Sequence, residues 1–284
     1  MQANGTSENR PDASRESYIM GRTSHEYQRL RQQAKMWEDL TARILREAGL
    51  EEGMTCLDVG CGPGEVMRLM GEIVGVQGHV VGIDVDGEIG RDALRQLHAG
   101  AKSRFSFFEH DLFGAAPVPG GPFDMTYARF LLVHCPDPVG VLRKMHAATR
   151  PGGLIVVQDY DFQTVDVNPP LASWSEFGRV WFGVLERTGK DKHFGRKLPL
   201  HFVEAGIGFP DATDVSGRIG SLRQYGPALE AVYRSVLPIA LNLGLTTQAD
   251  SQAFLDELQQ AGSGDGPFTL FWPLIVSLWK RKPG

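Results

Sequence analysis

Between positions 24 and 49 apolar residues recur every three or four places: Tyr27, Leu30, Ala34, Trp37, Leu40 and Ile44 share one side of a helical wheel, with Arg and Gln on the others. The spacing predicts one amphipathic helix, N-capped by Ser24 with Glu26 in its first turn and stopped at Gly49. From position 54 short apolar runs alternate with helical periodicity. Strands are expected at 54–59, 79–84, 104–108, 123–128 and 154–158, and helices from Glu65, through Leu94 and Leu97, and over 138–149 behind an Asp137 N-cap. Strands alternating with helices predict right-handed crossovers, hence an α/β fold with a mostly parallel sheet covered on both faces. Beyond Tyr160 the rhythm breaks, because largely helical stretches at about 171–205 and 225–261 interrupt strands near 212–220 and 267–280. These late insertions are expected to cap a substrate pocket.

The most apolar stretch, 268–279, holds Pro273 and is about 12 residues long, short of the roughly 20 that span a bilayer, so it predicts a buried strand. Residues 1–17 are polar, without a secretory apolar core or an arginine-rich amphipathic pattern, and predict a disordered tail. With no internal repeat or low-complexity linker, the chain divides into that tail, a helical segment at 18–50, a core at 51–165 and a completion of the sheet with inserted helices at 166–284.

At 284 residues, 42% hydrophobic and 22% charged, the chain can bury a core. Its net charge of −5 and lack of a Lys/Arg run give no general attraction to phosphate backbones, so neither nucleic acid nor membrane is an expected partner. Cys56, Cys61 and Cys135 form no CxxC pair, which argues against disulfides and zinc and suits a reduced cytoplasm. A homodimer is compatible with all of this.

The segment Thr55-Cys56-Leu57-Asp58-Val59-Gly60-Cys61-Gly62-Pro63-Gly64-Glu65 reads as a buried strand ending in alternating glycines, which let the backbone turn tightly and approach a ligand. A structural turn uses the same residues. The spacing is GxGxG, with Glu65 where a dinucleotide fingerprint needs its third glycine, and no Lys-Ser/Thr follows to make a triphosphate loop. Asp58 would repel a pyrophosphate but attract a cationic or amine-bearing ligand. Asp84 ends the next strand 20 residues after Gly64, where a carboxylate can accept both ribose hydroxyls, although it could instead cap the following helix in competition with Asp86.

The run Leu57-Asp58-Val59-Gly60-Cys61-Gly62-Pro63-Gly64 with Asp84 resembles the first two motifs of class I, Rossmann-like S-adenosylmethionine-dependent methyltransferases of the small-molecule type. Phe108-Glu109-His110-Asp111-Leu112 is similar to their third-strand motif, and Phe123-Asp124-Met125-Thr126-Tyr127-Ala128-Arg129 to the fourth-strand motif beside the reactive methyl. His134-Cys135-Pro136-Asp137-Pro138 and Arg150-Pro151-Gly152-Gly153-Leu154 resemble the turn after strand four and the entry to strand five. Tyr18-Ile19-Met20-Gly21-Arg22 with Glu26, Arg29-Leu30 and Gln33-Ala34 resembles a helical lid found in a subset of these enzymes.

The resemblance implies a seven-stranded sheet, S-adenosyl-L-methionine as cofactor, and methyl transfer to an O or N atom of a small molecule, of the kind met in secondary metabolism. It implies cofactor contacts from Tyr18, Gln33, Asp58, Gly60, Gly62, Gly64, Asp84, Asp111, Leu112, Ala128 and Arg129. A protein that binds the cofactor without methylating is the rival reading; a NAD-dependent oxidoreductase is disfavoured by Glu65.

His134 is the first candidate for a catalytic base, because it follows strand four, although a histidine there also serves packing. Asp159, Tyr160 and Asp161 follow strand five at the carboxyl edge, where open α/β sheets place ligands, and are candidates to orient substrate. His193 lies in the expected cap. Trp174, Phe177 and Trp181 fall on one helical face, and with Phe182 could line a pocket or fill core. Phe271, Trp272 and Trp279 are assigned to the core of the sheet. No carboxylate clustering suggests a metal, and none is expected.

Overall fold

A computed structural model describes residues 24–100, 102–264 and 266–284. Tyr18, the 1–17 tail and the side chains of Ser24 and Glu26 lie outside what it describes. The 24–49 segment is two helices rather than one, α1 (Ser24–Met36) and α2 (Glu38–Ala48), parted at Trp37. Neither proline nor glycine causes the break. The Trp37 indole is 2% exposed, edge-on to Tyr160 with the Arg218 guanidinium over its ring, so tertiary packing turns the chain there. Gly49 ends α2 in the left-handed region at φ 102°.

The central motif follows as β1 (Thr55–Val59), α3 (Glu65–Val74), β2 (His79–Asp84), α4 (Gly87–Gly100), β3 (Arg104–Glu109), β4 (Phe123–Arg129), α5 (Pro138–Ala148) and β5 (Thr149–Asp161). Asp137 caps α5 by accepting from the Gly140 amide at 2.8 Å. The remainder comprises β6 (Asp166–Asn168), α6 (Trp174–Arg187), α7 (Phe194–Glu204), β7 (Ala212–Ser216), β8 (Ile219–Ser221), α8 (Leu222–Asn242), α9 (Gln248–Ser263), β9 (Thr269–Phe271) and β10 (Leu274–Arg281). The main sheet has seven strands in the order β3-β2-β1-β4-β5-β10-β7, and β10 runs antiparallel to both neighbours. It is the Rossmann-like architecture the motifs imply. Strands β1 and β2 are buried on both faces along their centres, as a helix-covered parallel sheet requires, and carry carboxylates only near their carboxyl ends, at Asp58 and Asp84.

Two late strands change sheet partway. The 212–220 run divides around Gly217 and the 267–280 run at Trp272-Pro273, sending β8 and β9 with β6 into a small antiparallel sheet while β7 and β10 complete the large one. Pro273 has no N–H to continue a ladder, so the division falls there. The helical insertions divide too: α7 packs on β5 and β10 as part of the core layers, whereas α6, α8 and α9 pack on one another, and α8 also meets α1. No helix among the described residues is long and apolar enough to cross a membrane.

Candidate active site

The carboxyl ends of β1, β2, β4 and β5 open into a cavity of about 270 Å³, closed by α1 on one side and by α6, α8 and the Trp272-Pro273 junction on the other. After β1 the chain turns through Gly60, Gly62 and Gly64 at φ 69°, 47° and 80°, a region side chains rarely adopt. The Gly60 and Cys61 amides donate to the Ile83 carbonyl at 2.8 and 3.0 Å, pinning the loop to β2. A Cβ at Gly60 would stand 2.7 Å from Leu131 Cδ1, so any other residue here would also have to displace the end of that side chain.

Asp84 Oδ2 accepts from the Gly62 amide and Oδ1 from the Asp86 amide, both at 2.9 Å. Asp86, not Asp84, caps α4, accepting at Oδ1 from the amides of Glu88 and Ile89 at 3.1 and 3.2 Å. Asp84 therefore stands in the cavity wall as the link between the glycine loop and the tip of β2. The Tyr27 hydroxyl donates to Asp86 Oδ2, docking α1 over this corner.

Asp58 is 2% exposed, and its Oδ2 is buried without a hydrogen-bond partner. Burial pushes its carboxyl up to about 7, against the pull of Arg129, with nearby Asp84 adding to the rise. A buried, unpartnered carboxylate oxygen beside a glycine loop suits a ligand that brings positive charge and N–H donors. The ammonium end of S-adenosylmethionine is such a group, and the Asp84 carboxylate at the strand tip suits ribose hydroxyls. Asp111 and Leu112 line the far end; Asp111 Oδ1 accepts from the Phe113 amide at 2.9 Å. His110, in the same wall, has Nε2 buried without a partner, and burial lowers its basicity.

The helical lid reaches the other half through a bridge of side chains. Arg29 Nη1 donates to Gln33 Oε1 at 3.1 Å, and Gln33 Nε2 donates to the Tyr160 hydroxyl at 2.6 Å. The Tyr160 ring lies between Phe130 and Phe162, with centroids at 4.1 and 5.1 Å, and burial raises its phenol to about 12. His134 lines the cavity at the end of a short 3-10 turn, and Lys190 Nζ donates to its carbonyl. Burial, with Lys190 and Arg29 nearby, drops its imidazolium to about 3, so the ring is neutral at ordinary pH.

Of the residues singled out in the sequence, Gln33, Asp58, Gly60, Gly62, Asp84, Asp111, Leu112, Arg129 and His134 are brought together in this wall. Gly64 and Ala128 are not. Gly64 opens α3, where a Cβ would stand 2.8 Å from Ala93 Cβ, and Ala128 is buried in the sheet between Val59 and Val157. Arg129 Nη1 donates to Thr41 Oγ1 at 2.8 Å. Asp124, at the opposite end of β4, accepts from the Thr55 amide and from Arg150 Nε at 2.7 and 2.5 Å, which makes it a structural clasp.

Asp159, Tyr160 and Asp161 are the last residues of β5 rather than a segment after it, because their pairing with β10 extends the strand, and of the three only Tyr160 faces the cavity. Asp159 accepts from the amides of Val133 and Tyr160, and Asp161 holds Arg196 at 2.5 and 2.9 Å. His193 begins α7 away from the wall. Phe177 and Trp181 line the cavity, whereas Trp174 stacks behind Phe177 and Phe182 faces Lys192. Trp272 belongs to the buried core cluster and also lines the cavity, because the chain leaves one sheet for the other at that position. Phe130 is a site residue that no motif pointed to, and Tyr27 and Arg29, which the sequence places in the helical stripe and the lid motif, also line the cavity. No cluster of three His, Cys, Asp or Glu side chains suited to a metal occurs among the described residues.

The profile of the methyltransferase-domain family matches residues 27–193, which hold the whole glycine loop, the tip of β2 and the strand ends around the cavity. A demethylmenaquinone methyltransferase from Shouchella clausii is 30% identical over 193 residues, 62% of this chain and 78% of that protein. The chain spans less than two thirds of the length of several other curated relatives. A crystal structure described as a candidate methyltransferase from Bacillus halodurans superposes with a TM-score of 0.54 at 15% identity, covering 86% of this chain and 99% of that one. A candidate sarcosine dimethylglycine methyltransferase from Galdieria sulphuraria gives 0.51 at 13% identity, covering 93% and 92%.

Proposed function

The chain belongs to the methyltransferase-domain family and is an S-adenosylmethionine-dependent enzyme, and from that premise we propose that it methylates an O or N atom of a small molecule held beneath α6 and α8. The observation that carries the reading is the buried Asp58 oxygen without a partner, beside a positive-φ glycine loop whose next strand presents Asp84. In this proposal Asp58 holds the cofactor's ammonium, Asp84 its ribose hydroxyls and Asp111 its adenine amino group, while Gly60 and Gly62 let the backbone approach. Arg129 and the Arg29-Gln33 pair close the same end from β4 and α1.

When bound, S-adenosylmethionine supplies a methyl carbon already activated by a sulfonium leaving group. The residues of the chain then have to align an acceptor and exclude water, and alignment of this kind is worth up to about 7–11 kcal/mol of barrier. The stacked Phe130, Tyr160 and Phe162 rings form a rigid floor for the acceptor, and α1 closes over it through Gln33. His134, neutral and weakly basic, is proposed to take a hydrogen bond from the acceptor and fix its direction; efficient general bases sit nearer the working pH than 3. The net charge of −5 disfavours nucleic-acid acceptors, and three cysteines without a disulfide suit the cytoplasm. Self-association as a homodimer belongs to the same reading and is read by light scattering.

Calorimetric titration with S-adenosylhomocysteine, followed by transfer of radiolabelled methyl to a panel of phenols, alcohols and amines, tests the proposal. Absence of uptake by folded protein would remove the cofactor assignment. Uptake with no transfer to any oxygen or nitrogen acceptor would remove the acceptor assignment.

A further inference from the structure

The charged side chains in the cavity wall come from α1, the glycine loop and its start of α3, and the ends of β1, β2, β3 and β4. The elements that build the other half contribute none: Phe162 and Val165 after β5, Phe177 and Trp181 from α6, Ala228, Leu229, Ala231 and Val232 from α8, and Trp272-Pro273 are all apolar or aromatic where they meet the cavity, and Glu230 of α8 holds Arg234 instead. The buried carboxylate on α6, Glu176, is bonded to Tyr233, Thr246 and Arg179. Phe162 and Trp181 meet edge-on at 5.4 Å, and Phe177 lies nearly parallel to Trp181 at 6.4 Å, so the wall is a set of aromatic faces. The Trp272 indole, 7% exposed and edge-on to Tyr225, completes it, and its Nε1 is buried without a hydrogen-bond partner.

Resting on the methyltransferase reading above, we propose that the acceptor is a flat, uncharged, largely apolar ring system carrying a carbonyl or ether oxygen, and that Trp272 selects it by donating to that oxygen. A charged acceptor lying against this half would be stripped of water with no charged side chain of that wall to face it. Aromatic faces favour offset or edge contact with another ring. A buried donor penalises ligands that bring no acceptor, which makes such a group a stronger discriminator than the apolar wall around it.

The test uses the full chain saturated with S-adenosylhomocysteine and three bicyclic phenols: 6-hydroxy-1-tetralone, its carbonyl-free analogue 5,6,7,8-tetrahydro-2-naphthol, and the anionic 6-hydroxy-2-naphthoate. Calorimetry is expected to show the tetralone binding at least about tenfold more tightly than the naphthoate. Trp272→Phe should weaken the tetralone about tenfold and the tetrahydronaphthol less than about twofold, with S-adenosylhomocysteine affinity unchanged. Trp272→His, which keeps a ring N–H, should restore part of the difference. Naphthoate binding as tightly as tetralone, equal losses for both neutral phenols, or no binding of any probe to the loaded protein would overturn the inference. The comparison of probes on the unaltered protein does not depend on any variant folding. Failure to take up S-adenosylhomocysteine at all would instead remove the cofactor assignment beneath it.

Discussion

The two halves of the cavity are built on different physical plans. The half at the glycine loop is polar and largely contiguous in sequence: a turn with three positive-φ glycines, an unpartnered carboxylate oxygen at the end of β1, and a second carboxylate at the tip of β2 held by backbone amides. The opposite half is apolar and assembled from segments scattered between Phe130 and Trp272, each held by side-chain packing. A site made of backbone geometry is specified locally. One made of packed rings is specified only by the whole fold, and can change its ligand without disturbing the other half. The two halves should therefore fail independently when mutated.

The largest expected effect is on the polar side. Asp84→Ala removes a carboxylate that holds the Gly62 and Asp86 amides as well as the proposed ribose contacts, and charged hydrogen bonds contribute about 1.5–3 kcal/mol each. S-adenosylhomocysteine affinity should fall at least about 100-fold by calorimetry, while an acceptor-half ligand still quenches tryptophan fluorescence. Loss of both kinds of binding in a folded variant would break the division.

Trp181→Ala is the converse experiment. It deletes a ring 3% exposed, packed between Phe162 and Phe177, and large-to-small changes of this kind cost about 3–5 kcal/mol of stability. The acceptor KM should rise more than about tenfold, with S-adenosylhomocysteine affinity within about threefold of the original below the lowered Tm. A matching loss of cofactor affinity would show one cooperative site rather than two.

Legibility in the sequence follows the same line. The parallel core could be read from alternating apolar runs, and the polar half from Asp58, the glycine spacing and Asp84, because period and local turn chemistry are properties of neighbouring residues. Trp272 could not be read that way: its apolar surroundings look like strand core, and it reaches the cavity only because β9 and β10 part at Pro273. Phe177 and Trp181 share a helical face with Trp174, yet nothing in that spacing says which of the three ends against core and which against a ligand. Trp37 shows the limit for elements as well, since its helical periodicity is sound and the break comes from what its ring packs against.

A smaller effect is expected from protons. Asp58 in the ligand-free protein titrates near 7 because it is buried, and the proposed ammonium contact needs it ionised. Proton and ligand therefore compete: affinity for S-adenosylhomocysteine should be flat above about pH 7 and fall by up to about tenfold per unit below it. Asp159 is raised to about 7 as well, but its oxygens are held by backbone amides outside the cavity wall. Asp58→Asn should thus lower affinity at pH 8 and abolish the slope. A slope that survives the substitution would reassign the titrating group.

The smallest effect sits where the halves touch. Gln33 on the lid donates to the Tyr160 hydroxyl at 2.6 Å and accepts from Arg29, so one hydrogen bond joins the element over the cofactor end to the aromatic floor of the acceptor end. Tyr160→Phe keeps the ring between Phe130 and Phe162 and removes only the hydroxyl, a loss of about 0.5–1.5 kcal/mol. kcat/KM should drop by about two- to tenfold, with S-adenosylhomocysteine affinity changed less than twofold. Gln33→Ala should cost a similar amount, and the double variant little more than either alone, because residues in one hydrogen-bonded pair are not additive. Fully additive losses would mean that the lid and the floor act separately, leaving the shared cavity as the only link between the halves.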